Sequence, residues 1–345
     1  MSSGPGSGLA RTRAWLRGRF STSAAVLMYH AIGAVDVDPW GLFVTPENFA
    51  DHLRVLNDRA RPMTLAGLGE HRTAGTIPDR ATAVTFDDGY LNNLEVAKPL
   101  MEAASIPATV FVISEPMERV GEFWWDELGA LLLRPGDLPP TITVEAIGTD
   151  GTLELGPAVR YSHEQWSGDR TYVDGDIGPS ARMVFYRRLW QRLMDLGDGE
   201  RRARALDEIA RWAGVERTVR DSHRAVSIGE LAALDGGMIE VGGHTMTHPL
   251  LPTTPADDRR LEIVDNKRHL EEVLERPVDT FSYPFGAHDD EAAEAVANAG
   301  YRLAVTAKAG ATRVDTDPLR IPRFDVKNWT GDEFAQRLDR WFRQS

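Results

Sequence analysis

Residues 81–113, ATAVTFDDGYLNNLEVAKPLMEAASIPATVFVI, decide the fold. ATAVTF (81–86) is apolar and β-branched, the pattern of a buried strand, and Asp87-Asp88-Gly89 halts it. A helical stretch from about Leu91 to Ala104 and a second apolar run, ATVFVI (108–113), complete a β-α-β unit. Parallel strands joined by helices gather their functional loops at the strands' carboxyl ends, and the Asp pair falls at such an end.

Working outward, AAVLMYH (24–30) reads as a strand ending in Tyr29 and His30. A helix follows: Thr45 suits the N-cap, Pro46 the first turn, and Phe49, Leu53 and Leu56 make one apolar stripe. Beyond residue 226 the rhythm resumes with MIEVGGH (238–244), a long charged helix from Pro255 to Glu275, the strand VDTFSYP (278–284), a helix from about Asp289 to Ala299, and the strand YRLAVTA (301–307). Between them, residues 115–226 hold a Trp-containing helix (Glu122 to Leu133), a Pro/Gly- and Thr-rich stretch and a helical pair from about Ser180 to Trp212. The pattern predicts an α/β domain from 24–114 and 227–345, interrupted by a mainly helical insertion over 115–226 that shapes a cleft, behind a flexible 1–23.

Composition narrows the chemistry. With no cysteine, disulfides, thiol nucleophiles and Cys-based zinc sites are excluded, so any metal falls to Asp, Glu and the nine histidines. Thirty-nine basic residues against 52 acidic ones, a net charge of −13, argue against nucleic acid as a partner. No window approaches the roughly 18 to 20 apolar residues of a membrane span. The first twenty residues carry Arg11, Arg13, Arg17 and Arg19 without an apolar run behind them, so the reading expects a cytoplasmic protein.

His244-Thr245-Met246-Thr247-His248 follows a strand directly, and two imidazoles at i and i+4 on a helical turn would share one face and one metal ion. Asp87-Asp88 supplies the carboxylates such a pair lacks: adjacent residues leaving a strand diverge, so one can ligate while the other handles a proton. Gly89 permits the turn. Asp257-Asp258 and Asp289-Asp290, by contrast, open helices and answer the macrodipole. His52, His71, His163, His223 and His269 sit among polar positions and read as solvated, and Phe123, Trp124 and Trp125 read as core rather than as a platform for sugar rings.

TFDDGY (85–90), HTMTH (244–248) and FSYPFG (281–286), in that order, resemble the polysaccharide deacetylases with a NodB-type catalytic domain, carbohydrate esterase family 4. The resemblance implies a distorted (β/α)7 barrel that removes acetyl groups with one divalent metal, Zn²⁺ or alternatively Co²⁺ or Ni²⁺. It makes Asp87 the general base, and Asp88, His244 and His248 the metal ligands. The Tyr283-Pro284-Phe285-Gly286 loop then faces substrate, with the Phe285 N–H as oxyanion donor. Two departures matter. The family's third motif places Arg before its prolines to orient the base, where this chain has Ser282; Arg320 and Arg323 in LRIPRFDV are the available substitutes, Arg323 favoured. No histidine follows His288 to protonate the leaving group, but His30 in MYHAI resembles the acid of the circularly permuted poly-N-acetylglucosamine deacetylase subgroup. The implied activity is N-deacetylation of amino sugars in a glycan or its precursor. O-acetyl ester or other non-peptide C–N hydrolysis is the alternative, and an inactive carbohydrate-binding module the rival from another class.

Overall fold

The computed structural model describes residues 23–119, 121–148, 151–170, 180–197 and 199–343, so the expected flexible terminus lies outside the described residues, apart from its last position. Two compact units are formed: one from residues up to 33, 43–114 and 228 onward, the other from 34–42 and 115–227. Residues 34–42, read from sequence with the barrel, belong to the second unit because Trp40 packs its ring on Trp190 (4.8 Å) and donates to the Tyr186 hydroxyl (2.8 Å).

The first unit is an α/β half-barrel. Its parallel strands are β1 (Ser23–Tyr29), β2 (Ala81–Phe86), β3 (Ala108–Val112), β4 (Ile239–Gly243), β5 (Thr280–Ser282), β6 (Leu303–Val305) and β7 (Phe324–Asp325). Around them lie α1 (Pro46–Arg59), α2 (Leu65–Ala74), α3 (Lys98–Ala104), α4 (Ile228–Leu234), α5 (Ala256–Leu274), α6 (Asp290–Asn298) and α7 (Gly331–Arg343). Each strand from β1 to β6 pairs in parallel with the next. The curl is closed by one segment: Ile321 exchanges backbone hydrogen bonds with β6, from its N–H to Ala304 and from the Thr306 N–H back to its carbonyl, and β7 then pairs in parallel with β1. This is the seven-strand distorted (β/α)7 arrangement that the motifs imply. Ala24, Val26, Ala83, Phe111, Val305 and Ile321 form a buried layer packed on Leu65 and Leu68 of α2.

Caps follow the sequence. Thr45 Oγ1 accepts from the Asn48 N–H at the start of α1, and Asp289 accepts from the Ala292 N–H at α6. The stretch read as helical from Leu91 to Ala104 is helical throughout, with a π turn, Asn93–Ala97, set into it before α3.

In the second unit, helices Trp124–Leu132, Ala181–Met194 and Gly199–Ala213 and small antiparallel strand pairs enclose a core including Leu128, Leu132, Ile142, Leu153, Tyr186, Leu189 and Leu206. Phe123 and Trp125 are buried, stacked in parallel at 4.8 Å. Among the described residues no helix is long and apolar enough to cross a membrane.

Candidate metal centre

β2 delivers two carboxylates to different tasks. The Asp87 N–H donates to the Tyr29 carbonyl (3.0 Å), which ties it to the end of β1. Asp88 then adopts φ +73° and Gly89 φ +83°, so the chain turns within one residue. Asp tolerates that left-handed region better than most residues. At position 89 a Cβ would meet Val112 Cγ1 at 2.9 Å, so both space and backbone call for glycine.

The turn aims Asp88 at two imidazoles: its Oδ1 lies 3.5 Å from His244 Nε2 and 3.7 Å from His248 Nε2, and all three side chains are buried. Their ligating atoms fall within 4.8 Å of one another, the only such group among the described residues. His244 Nδ1 donates to the Ser282 carbonyl (2.7 Å), which turns Nε2 towards Asp88 and fixes the tautomer a ligand needs. Burial favours a neutral His244, but its hydrogen bond to Asp88 and the charges of Asp87 and Asp88 outweigh this and raise its pKa. His248 is driven down to about 3 by burial and by His244. Burial likewise pushes Asp88 up, yet the His244 hydrogen bond and the surrounding histidine charges hold it ionised, below its ordinary range. One carboxylate with two imidazoles, one of which attracts a proton, is a pocket built for positive charge. The donor set fits a divalent cation: two imidazole nitrogens and one carboxylate leave a tetrahedral position for a reactant. Asp88, His244 and His248 form a divalent-metal site.

The His motif does not reach this geometry through the helical turn that its i, i+4 spacing suggests. Residues 244–248 form a loop in which Thr245 (φ +67°) and His248 (φ +61°) are left-handed. The Thr245 Oγ1 accepts from the His248 N–H (3.0 Å), closing the loop on itself and bringing the rings to a 4.8 Å centroid separation.

Asp87 is held by a fully buried guanidinium. Arg323 Nη1 and Nη2 donate to Asp87 Oδ1 and Oδ2, both at 2.7 Å. Its other donors reach Thr85 Oγ1 (3.0 Å), Ser282 Oγ (3.0 Å) and the Thr306 carbonyl (2.9 Å), so all five N–H groups are satisfied. Ser282, standing where the family carries Arg, donates its own hydroxyl to Asp87 Oδ2 (3.3 Å). Burial alone would raise the Asp87 pKa, but Arg323, by charge and hydrogen bonding, holds it well below the usual carboxylate range. Arg320 plays no such part: it is partly exposed and pairs with Asp290 (2.5 Å).

His30 follows β1, its carbonyl accepting from Asn93 Nδ2 (2.9 Å) on the π turn, while the neighbouring Asn92 Oδ1 accepts from the Ile32 N–H (2.9 Å). Its charge acts on Asp87, Asp88 and His248, which places it in the electrostatic field of the same cluster. In the 283–286 loop, Phe285 sits at φ +58°, its ring 38 % exposed and edge-on to His248 at 4.4 Å. Gly286 is left-handed too, and a Cβ there would lie 2.2 Å from Ala307 N. Tyr283 is anchored by its N–H to the Val305 carbonyl (3.2 Å) and by its hydroxyl to the Leu319 carbonyl (3.0 Å).

Sequence reading missed Ser282's double contact, the asparagines behind His30, and two buried histidines. His52 is wholly enclosed, with Nδ1 against the Tyr29 hydroxyl (3.2 Å), Nε2 donating to the Trp329 carbonyl (2.7 Å) and its ring stacked on Phe334 (4.3 Å). His223 is buried in the second unit, where burial and Arg220 lower its pKa to about 3.

Known proteins share this architecture. The profile of the polysaccharide deacetylase family matches residues 230–304. A Bacillus subtilis (strain 168) protein named "Putative polysaccharide deacetylase YxkH" is 28 % identical over 106 residues, a match spanning 30 % of this chain and 37 % of the relative. The solved structure of the Streptococcus pyogenes deacetylase PplD in complex with acetate is similar over 92 % of this chain and 98 % of its own, at TM-score 0.53 and 16 % identity. IcaB from Ammonifex degensii is similar over 94 % and 99 %, at TM-score 0.53 and 18 % identity, and the polysaccharide deacetylase BC0361 from Bacillus cereus over 92 % and 69 %, at TM-score 0.52 and 19 % identity. Residues 230–304 thus resemble the polysaccharide deacetylase family, and the solved deacetylase structures share the fold of this chain.

Proposed function

We propose that the protein is a metal-dependent hydrolase that removes N-acetyl groups from amino sugars of a glycan or glycan precursor. The carrying observation is the division of labour at adjacent residues: Asp88 faces two imidazoles while Asp87 is held by Arg323 and Ser282. A divalent cation bound by Asp88, His244 and His248 supplies Lewis acidity towards an acyl oxygen and towards water. Asp87, kept ionised and fixed in orientation by Arg323, takes the proton from the attacking water. The backbone N–H of Phe285 donates to the acyl oxygen as it gains charge, and the left-handed backbone there sets its direction. His30 gives its proton to the departing amine nitrogen. Residues 115–226 select among substrates in this reading.

The test is acetate release from N-acetylhexosamine oligomers, nucleotide sugars and acetylated xylan, each with and without Zn²⁺, Co²⁺ or Ni²⁺. Metal-dependent release from the N-acetylated substrates is expected. Release from acetylated xylan alone would reassign the chain as an O-acetyl esterase, and failure to bind metal would sink the enzyme reading.

A further inference from the structure

Between the two histidine ligands lie three residues whose backbone would not adopt this shape unaided. Thr245 is β-branched and left-handed, and His248 at the loop's end is left-handed too. Both conformations are sparsely populated and persist where surrounding structure over-determines them. The surrounding structure here is one face of α5. Glu262 Oε2 accepts from the backbone N–H groups of Met246 (2.9 Å) and Thr247 (2.8 Å), and its Oε1 accepts from the Thr247 hydroxyl (2.6 Å). One turn further along, the wholly buried Asn266 accepts with Oδ1 from the His244 N–H (3.1 Å) and donates through Nδ2 to the Thr245 carbonyl (2.9 Å). The same Nδ2 reaches the Ser114 hydroxyl (2.6 Å) and the Val112 carbonyl (3.1 Å), so the loop is also tied to the end of β3. Residues four apart on a helix lie on one face, so a single rigid element holds the backbone of residues 244–247.

We propose that Glu262 and Asn266 are positioning residues that pre-form the metal site: they hold the His244–His248 loop in its ligating shape before a cation arrives. The proposal rests on the metal-enzyme reading above and extends it to two residues that touch neither the ligand atoms nor substrate. Without the clamp, the cation must itself order a left-handed loop, and that cost is subtracted from binding. Outer partners of metal ligands are worth about 10- to 100-fold in affinity. The carboxylate accepts three hydrogen bonds at once; a Gln at 262 retains one acceptor oxygen for the two amides, whereas Ala retains none.

Two measurements on the full-length protein test this. The first is Zn²⁺ affinity by chelator competition for wild type, Glu262→Gln, Glu262→Ala and, as a control on the same helix, Leu261→Ser, whose side chain is exposed. Glu262→Ala is expected to weaken affinity about 10- to 100-fold, Glu262→Gln by less, and Leu261→Ser not at all. The second is amide hydrogen exchange of Met246 and Thr247 in metal-free protein. Protection in wild type, lost by about tenfold or more in Glu262→Ala and restored by Zn²⁺, is the expected signature of a pre-formed loop. Asn266→Ala removes more bonds and risks the fold, so the Glu262 series decides. Wild type that binds Zn²⁺ while Glu262→Ala binds within twofold and keeps its amide protection overturns the clamp alone. Wild type that binds no Zn²⁺ overturns the enzyme reading and the clamp with it.

Discussion

Among the described residues each unit buries one arginine completely, and the two are solvated by the protein in opposite ways. Arg323 meets a carboxylate, Asp87, in a two-pronged pair with its remaining donors on Thr85, Ser282 and Thr306. Among the described residues, Arg182 in the insertion meets no carboxylate at hydrogen-bond distance. Its donors end on the carbonyls of Ala158 (2.7 Å), Leu132 (2.8 Å), Val159 (3.0 Å) and Gly136 (3.1 Å), with the Tyr161 ring beside it. Burial pulls the Arg182 pKa down, whereas the Arg323 charge is spent holding another group's pKa down. The lesson is one of purpose. A buried cation among neutral carbonyls ties residues 132–136 and 158–159 to its own helix; a buried cation on a carboxylate fixes that carboxylate's state and orientation.

The sharpest way to break that contrast is Asp87→Asn, which keeps the shape and removes the charge. Turnover is expected to fall about 10²- to 10⁴-fold with metal content intact, measured as acetate release beside metal analysis. The variant also strands the Arg323 charge, so a stability loss of about 3–5 kcal/mol should accompany it in denaturant titration. Near-native turnover would remove Asp87 from the chemistry. His30→Ala probes the proton at the other end of the reaction: a loss on the order of 10²- to 10⁴-fold on an amide, and much less on an activated acetyl ester, whose leaving group needs no proton. Equal losses on both substrates would make His30 structural.

On the insertion side, Arg182→Met leaves four carbonyls without their donor, and unfolding of that unit should become easier by roughly 3–5 kcal/mol. Zn²⁺ affinity should not move; a shift there would end the separation of roles between the two arginines. The smallest effect expected is a pH slope common to both units. His52 has its pKa lowered to about 4, chiefly by burial, with the Trp329 hydrogen bond and Asp51 opposing. An imidazole kept neutral in the folded protein takes up protons on unfolding once pH drops below its ordinary value near 6.5. Its stabilisation is therefore full above that pH and is lost as pH falls towards 4, on the order of 3 kcal/mol for His52. Stability measured across that window should be flatter in His52→Gln than in wild type. An unchanged slope would show that His52 is not the group responsible. His223 carries the same sign in the second unit.

Much of the barrel was legible because it is written in contiguous runs: ATAVTF and ATVFVI are buried strands, and the Asp pair and HTMTH sit immediately past strand ends. What escaped reading is carried by side chains reaching backbone over long separations, which leaves no periodic trace. Glu262 and Asn266 lie on a helix whose charged sequence reads as a solvated face, yet both turn inward to a loop some 15 to 22 positions earlier. The HTMTH spacing suggests a helical turn because residues i and i+4 share one helix face, whereas tertiary partners hold Thr245 and His248 at positive φ. His52 and His223 read as solvated among polar neighbours, but a ring that packs on an aromatic side chain and spends its nitrogens on oxygens brought to it by the fold is buried all the same.

The closing segment has a consequence for biosynthesis. β7 pairs with β1 almost three hundred positions upstream, and Arg323 reaches Asp87 across 236 residues, so the Asp87 pair joins distant parts of the chain. A nascent polypeptide still tethered before residue 323 would already carry all three metal ligands while Asp87 stood without a guanidinium. Contacts of such sequence separation form late, since chain closure must precede their reward. The arrangement thus waits for residue 323: a chain truncated before it would hold the three metal ligands but leave Asp87 without its guanidinium partner.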